Sequence, residues 1–297
     1  MNHIKDQIRC GAAYRLGLTG KGIGVAVLDT GIFLHRDFDS RVTGFADMVN
    51  GKTFAYDDCG HGTHICGIIG GSGRMSGGRY SGIAPGCDLV MVKVLDRKGN
   101  GYSSDVLAGI SWILERKEKL GIRILNISVG ACSKRGMSEN SALVKGVNRA
   151  WDTGLVVVVA AGNNGPRTMS ITTPGISRKV ITVGCSDDDR EVLVGGNRMV
   201  DYSGRGPTAA CICKPDLVAP GCSVVSCAGR ADKYTIKSGT SMSTPIVSGA
   251  TALLLERYPD MTNKDVKLKL RESCTDIGLP RNQQGWGLLD VEKLVSK

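Results

Sequence analysis

Ile23-Gly24-Val25-Ala26-Val27-Leu28-Asp29-Thr30-Gly31-Ile32 is a short aliphatic run that stops on an acid and a glycine turn. It is too short for a buried helix, and its unbroken apolar character predicts a strand covered on both faces. Comparable runs recur at 89–95, 122–128, 155–160 and 180–183. Segments of helical period lie between them at 61–70, 104–120 and 142–152; Ser103 or Ser104 can cap the second, and Gly121 ends it. Strands alternating with helices predict an α/β fold with a mostly parallel central sheet and helices on both faces. Farther on, 241–258 reads as a long apolar helix stopped by Pro259, with Pro245 in its first turn. A second helix is predicted over 262–272, with Thr262 as N-cap and Asp265 three residues on.

A chain of 297 residues with apolar segments spread evenly predicts one large domain. Residues 1–20 read as an N-terminal extension and 21–297 as a single domain. The 41 glycines imply many tight turns. Net charge is 38 − 28 = +10, but the basic residues are scattered without a run of five, which argues against nucleic acid as a partner. The longest apolar stretches, 154–161 and 246–255, are too short to span a bilayer. Eleven cysteines are an odd number without framework spacing, and Met1-Asn2-His3-Ile4-Lys5-Asp6 carries no apolar signal segment. Both features predict a reducing, cytoplasmic setting with free thiols; secretion by another route with some disulfides is the competing reading. Cys211-Ile212-Cys213 and the Cys222 to Cys227 gap lack the paired spacing of zinc sites. Cys59, two residues before His61, is expected as a packing residue near the cleft.

Ser241 stands in Gly239-Thr240-Ser241-Met242-Ser243-Thr244-Pro245, at the start of the predicted apolar helix. A hydroxyl is a weak nucleophile at neutral pH and needs an imidazole to take its proton and a carboxylate to orient that imidazole. Asp58-Cys59-Gly60-His61-Gly62-Thr63-His64 supplies the imidazole and Asp29 the carboxylate. Asp29, Ser128 and Asn163 all fall at or just after strand carboxyl ends, where open α/β sheets place their ligand crevice. Taken singly, each residue has a structural reading: a turn aspartate, a capping histidine, a helix-start serine.

The blocks Asp29-Thr30-Gly31-Ile32, His61-Gly62-Thr63-His64 and Gly239 to Pro245, in that order, together resemble the subtilisin family of serine proteases. Val158-Val159-Ala160-Ala161-Gly162-Asn163-Asn164-Gly165 is similar to its oxyanion segment, and the likeness runs from about Gly20 to Trp286-Gly287. The resemblance implies a three-layer subtilisin-like fold and a serine endopeptidase acting through an acyl-enzyme. Ser241 would be the nucleophile, His61 the base, Asp29 its orienting acid and Asn163 the oxyanion donor, with Asn164 the lesser candidate. It places the substrate backbone on Ser128, Val129 and Gly130, with Gly130, Ala131, Ala161 and Gly162 lining an uncharged pocket that predicts preference for a neutral residue before the scissile bond. His64 is expected to serve packing or hydrogen bonding within its helix.

The expected partner is a peptide or protein substrate, with no nucleic acid, no membrane and no assigned oligomeric state. No cofactor or metal ligand is assigned. Calcium is common in the family, and Asp37 matches a position that often helps bind it, but the loop 71–80 lacks the Asn and Asp oxygens a hard cation wants. Asp187-Asp188-Asp189 reads as an exposed acidic turn and only secondarily as a looser calcium site. Without a prodomain in view, the chain looks more like bacterial intracellular proteases of this type, with the first twenty residues over the cleft or trimmed. A catalytically silent binding protein of the same fold is the rival reading, and the intact Asp29, His61, Ser241 and Asn163 argue against it.

Overall fold

The computed structural model describes residues 1–130 and 139–296. In chain order its strands are β1 (Gly24–Asp29), β2 (Val42–Asp47), β3 (Asp88–Lys93), β4 (Ile122–Ile127), β5 (Val156–Ala160), β6 (Ile181–Cys185), β7 (Val192–Val194), β8 (Asn197–Met199), β9 (Leu217–Ala219), β10 (Val224–Cys227) and β11 (Tyr234–Lys237). The helices are α1 (Asn2–Gln7), α2 (Gly11–Arg15), α3 (His61–Gly70), α4 (Ser103–Arg116), α5 (Ala142–Asp152), α6 (Thr240–Arg257), α7 (Asn263–Ser273), α8 (Arg281–Gln284) and α9 (Val291–Val295). All five strands and five helices read from the sequence are present, within a few residues of their expected ends.

Seven strands form one sheet in the order β2-β3-β1-β4-β5-β6-β9, and every neighbouring pair is parallel. Strands β1 and β5 are buried along their whole length, which explains their unbroken aliphatic sequence. Glycines reveal the two covering layers. A Cβ on Gly62 of α3 would meet Met91, whereas one on Gly109 of α4 would meet Val92. Successive side chains of a strand point to opposite faces, so α3 and α4 lie on opposite sides of β3. The α/β architecture is therefore the expected one. From β1 the chain runs out to the edge strand β2, returns to β3 between them, then crosses to β4 on the other flank of β1, and this reversal opens the crevice at the carboxyl ends.

Helix α6 packs across β4, β5, β6 and β9, and every residue from Met242 to Leu255 is buried. Pro245 is its sixth residue, in the second turn and not the first as expected. The N–H that proline lacks would have donated to the carbonyl of Ser241, so the ladder opens at that residue. Thr262 and Asp265 form the anticipated capping box of α7. Residues 1–20 do more than precede the fold: Met1, Ile4, Ile8, Cys10 and Ala13 enter the main core, and Val291 N–H of α9 donates to Ile8 O at 2.8 Å.

Candidate active site

Asp29 ends β1 with its side chain withdrawn completely from solvent. Its Oδ1 accepts from the Thr30 N–H at 2.8 Å and from His61 Nδ1 at 2.7 Å. The imidazole is placed by the start of α3. Gly60 supplies a left-handed turn at φ +82° just before it, and Gly62 packs so close to the Gly31 backbone that a side chain there would collide. Burial opposes protonation of His61, but the charge of Asp29 and its hydrogen bond outweigh it, and the pKa rises above the ordinary 6.5. With Nδ1–H given to the acid, Nε2 is left with the lone pair a base needs.

The carboxylate of Asp57 organises the approach to His61. It accepts from Thr30 Oγ1, Cys59 N–H and Gly60 N–H on one oxygen, and from Thr63 N–H and Oγ1 on the other. Lys93 is wholly buried beneath this loop and donates to Thr30 O, Leu95 O and Asp58 Oδ1 at 2.6–2.8 Å. These residues tie the acid-bearing strand to the base-bearing helix. They were not singled out from the sequence, although Asp57 and Asp58 flank the histidine block.

Ser241 is the second residue of α6, partly exposed, and its Oγ–H donates to Ser128 O at 2.8 Å. Among the described residues that is its hydrogen bond, and none joins it to His61; such contacts often tighten only when substrate arrives. Thr240, fully buried, is the residue the sequence reading overlooked. Its hydroxyl accepts from Gly162 N–H at 3.2 Å and donates to Asn163 Oδ1 at 3.0 Å, and its N–H donates to the same oxygen at 3.0 Å. Holding Oδ1 there turns the Nδ2 end of Asn163, the donating end, the other way. Asn163 is thus an amide fixed to the serine-bearing helix.

Behind the serine, Ser248 Oγ–H donates to Asn126 Oδ1 at 2.8 Å and Asn126 Nδ2 donates to Ser128 Oγ at 2.9 Å, joining α6 to β4. Val129 and Gly130 line a cleft of 210 Å³ whose wall mixes the apolar Leu95, Val106, Ile127 and Leu143 with Asn100, Tyr102 and Ser103. Gly130 and Gly162 both abut Thr172, where a Cβ on either would collide with that side chain. Ala161 is buried beneath, its carbonyl accepting the Thr172 N–H at 2.9 Å. Ala131 lies outside the described residues.

His64 is fully buried, in keeping with the packing role expected, while its hydrogen bonds leave the helix. Its Nε2–H reaches Val224 O at 3.1 Å and Thr235 O at 3.2 Å, pinning α3 to the β10–β11 hairpin. Burial first, then the charges of Lys237 and His61, push its pKa down to about 3, so it is neutral in the folded protein.

Asp37 is not a free carboxylate. Its oxygens accept from Met75 N–H at 2.9 Å and Tyr234 O–H at 2.7 Å, with the Cys227 thiol at 3.7 Å. Nor is 187–189 simply an exposed turn. Asp188 is buried and accepts the Ser203 N–H, while Asp187 Oδ1 accepts from Gly221 and Cys222 N–H groups. All ten described cysteines are free thiols, and Cys59 is exposed.

An acid, an imidazole and a serine at a helix start, gathered on the carboxyl edge of a parallel sheet with an oriented amide alongside, define a serine hydrolase. Comparison with known proteins gives the family. Residues 20–287 match the Subtilase family. Serine protease AprX of Bacillus subtilis (strain 168) is 42% identical over 292 residues, covering 93% of this chain and 65% of that protein. Subtilisin BL of Lederbergia lenta is 34% identical over 287 residues, covering 97% of this chain and 96% of that protein. Among solved structures, Sphericase superposes with a TM-score of 0.79 at 31% identity, covering 92% of this chain and 93% of that one. The chain belongs to the subtilase family of serine endopeptidases, whose mechanism is the Asp-His-Ser triad, and is a hydrolase of that class. It spans about two thirds of the length of AprX and nearly all of subtilisin BL.

Proposed function

We propose that the chain hydrolyses peptide bonds with Ser241 as nucleophile, His61 as general base and then general acid, and Asp29 holding the imidazole tautomer. The observation that carries this assignment is the 2.7 Å bond from His61 Nδ1 to the fully buried Asp29 carboxylate, which presents Nε2 toward the cleft as a base. In this reading the Ser241 hydroxyl leaves Ser128 O for that nitrogen when substrate arrives. Attack on the scissile carbonyl gives a tetrahedral oxyanion, for which Asn163 Nδ2 and the Ser241 N–H are the donors. His61 then passes its proton to the leaving amine, and water repeats the sequence on the acyl-enzyme.

The substrate is read as an extended peptide laid along Ser128, Val129 and Gly130 as an added strand. The absence of charged side chains among Gly130, Ala161, Gly162 and Thr172 supports a neutral residue before the scissile bond. A cytoplasmic setting is proposed on the odd cysteine count and the free thiols. A fluorophosphonate probe should label the folded wild type and spare Ser241→Ala. Unlabelled but folded wild type would instead favour a silent binding protein of this fold.

A further inference from the structure

A second cleft, sharing no residue with the one along Val129 and Gly130, lies against the residues that lead into His61. It measures 510 Å³ and lies between residues 57–60 and the segment 228–237. Its rim includes Cys59 and Gly60, directly before His61, and Lys237, four residues before Ser241. With the acyl half of a substrate along 128–130, this cleft falls to the leaving-group half.

Its charges are unbalanced in number, three cations to two acids, and more so in effect. Of its two acids, Asp57 is saturated by hydrogen bonds from Thr30, Cys59, Gly60 and Thr63, and Asp58 is paired with buried Lys93 at 2.7 Å. Asp232 on the hairpin turn is paired with Arg36 at 3.1 Å. Arg230, Lys233 and Lys237 line the cleft, and none has a salt bridge among the described residues. The floor stays open because Gly60 and Gly229 meet there: a Cβ on Gly229 would stand 2.6 Å from Gly60 Cα. Three unspent cations around an open floor suit a carboxylate.

We propose that this cleft is a leaving-group subsite that takes an acidic side chain, Asp or Glu, at the first or second position after the scissile bond. This rests on the reading of Ser241 as nucleophile. Lys237 reaches the carboxylate nearest the cut bond, while Lys233 and Arg230 extend the positive wall outward.

The test is a set of internally quenched peptides, identical except for Glu, Ala or Lys at those two positions, cleaved by wild type and by the double variant Lys233→Glu, Lys237→Glu. In wild type, kcat/KM for Glu should exceed that for Lys about ten-fold or more, and the ratio should shrink as salt is raised. The double variant should invert it. An effect of the variant on His61 itself changes all peptides alike and cancels in the ratio. Equal rates, or preference for Lys in wild type, overturn the subsite and leave the nucleophile intact. Absence of cleavage of every peptide, together with absence of fluorophosphonate labelling, overturns both.

Discussion

Thr240 gives one hydroxyl to two neighbours, receiving from Gly162 N–H and donating to Asn163 Oδ1. The Asn163 amide therefore depends on a residue that is itself fully buried. Thr240→Val should leave the Gly162 N–H without its acceptor and Asn163 Oδ1 with the Thr240 N–H alone, lowering kcat about ten-fold with little change in KM and costing roughly 1–3 kcal/mol of stability; steady-state kinetics and urea titration measure the two. Asn163→Ala should cost more, about 10²–10³-fold in kcat, the range known for such a donor in subtilisin and carried over here. Protonation of His61 follows from the same local balance. Because its folded pKa is raised, the base becomes neutral only as pH climbs past 6.5, so the acid limb of kcat/KM should lie above that value. Replacing Asp29 by Asn should move the limb down while activity collapses, read from the pH profile.

At the scale of elements, α3 and β1 are joined where Gly62 meets Gly31. Gly62→Ala should push the helix start away from the strand end and spread His61 from Asp29. A displacement of about 1 Å costs on the order of 10²-fold in rate, so kcat should fall by that much while circular dichroism stays native. The elements that were legible in sequence are those whose pattern is local: aliphatic runs for β1, β3, β4, β5 and β6, helical period for α3 to α7. Strand β2 was missed because Val-Thr-Gly-Phe-Ala-Asp is an edge strand, half-exposed and broken by glycine. Strand β9 is three residues long, and the two hairpins lie outside the sheet. The triad and Asn163 were legible because short blocks surround them. Thr240, Asp57 and Lys93 were not singled out, since a threonine beside a serine or a lysine ending a strand says nothing until the fold brings its partners from 27 to 78 residues away.

For the molecule as a whole, His64 is the group through which acid should act. An exposed imidazole titrates near 6.5, whereas this one is held neutral down to about 3. Below 6.5 the unfolded chain takes up a proton that the folded chain refuses. The stability tied to neutral His64 is complete above pH 6.5 and is lost progressively as pH falls toward 3. The urea midpoint of wild type should drop across that window, and the drop should be shallower in His64→Gln, which keeps a donor for Val224 O and Thr235 O without titrating.

The burial of α6 bears on how such an enzyme survives its own kind. A second copy can digest only backbone that pulls free and lies extended in its groove. The helix carrying Ser241 is the last stretch able to do so, since freeing it means dismantling the centre of the molecule. Self-digestion should then start at outlying pieces such as the β7–β8 hairpin, which stands apart from the main sheet.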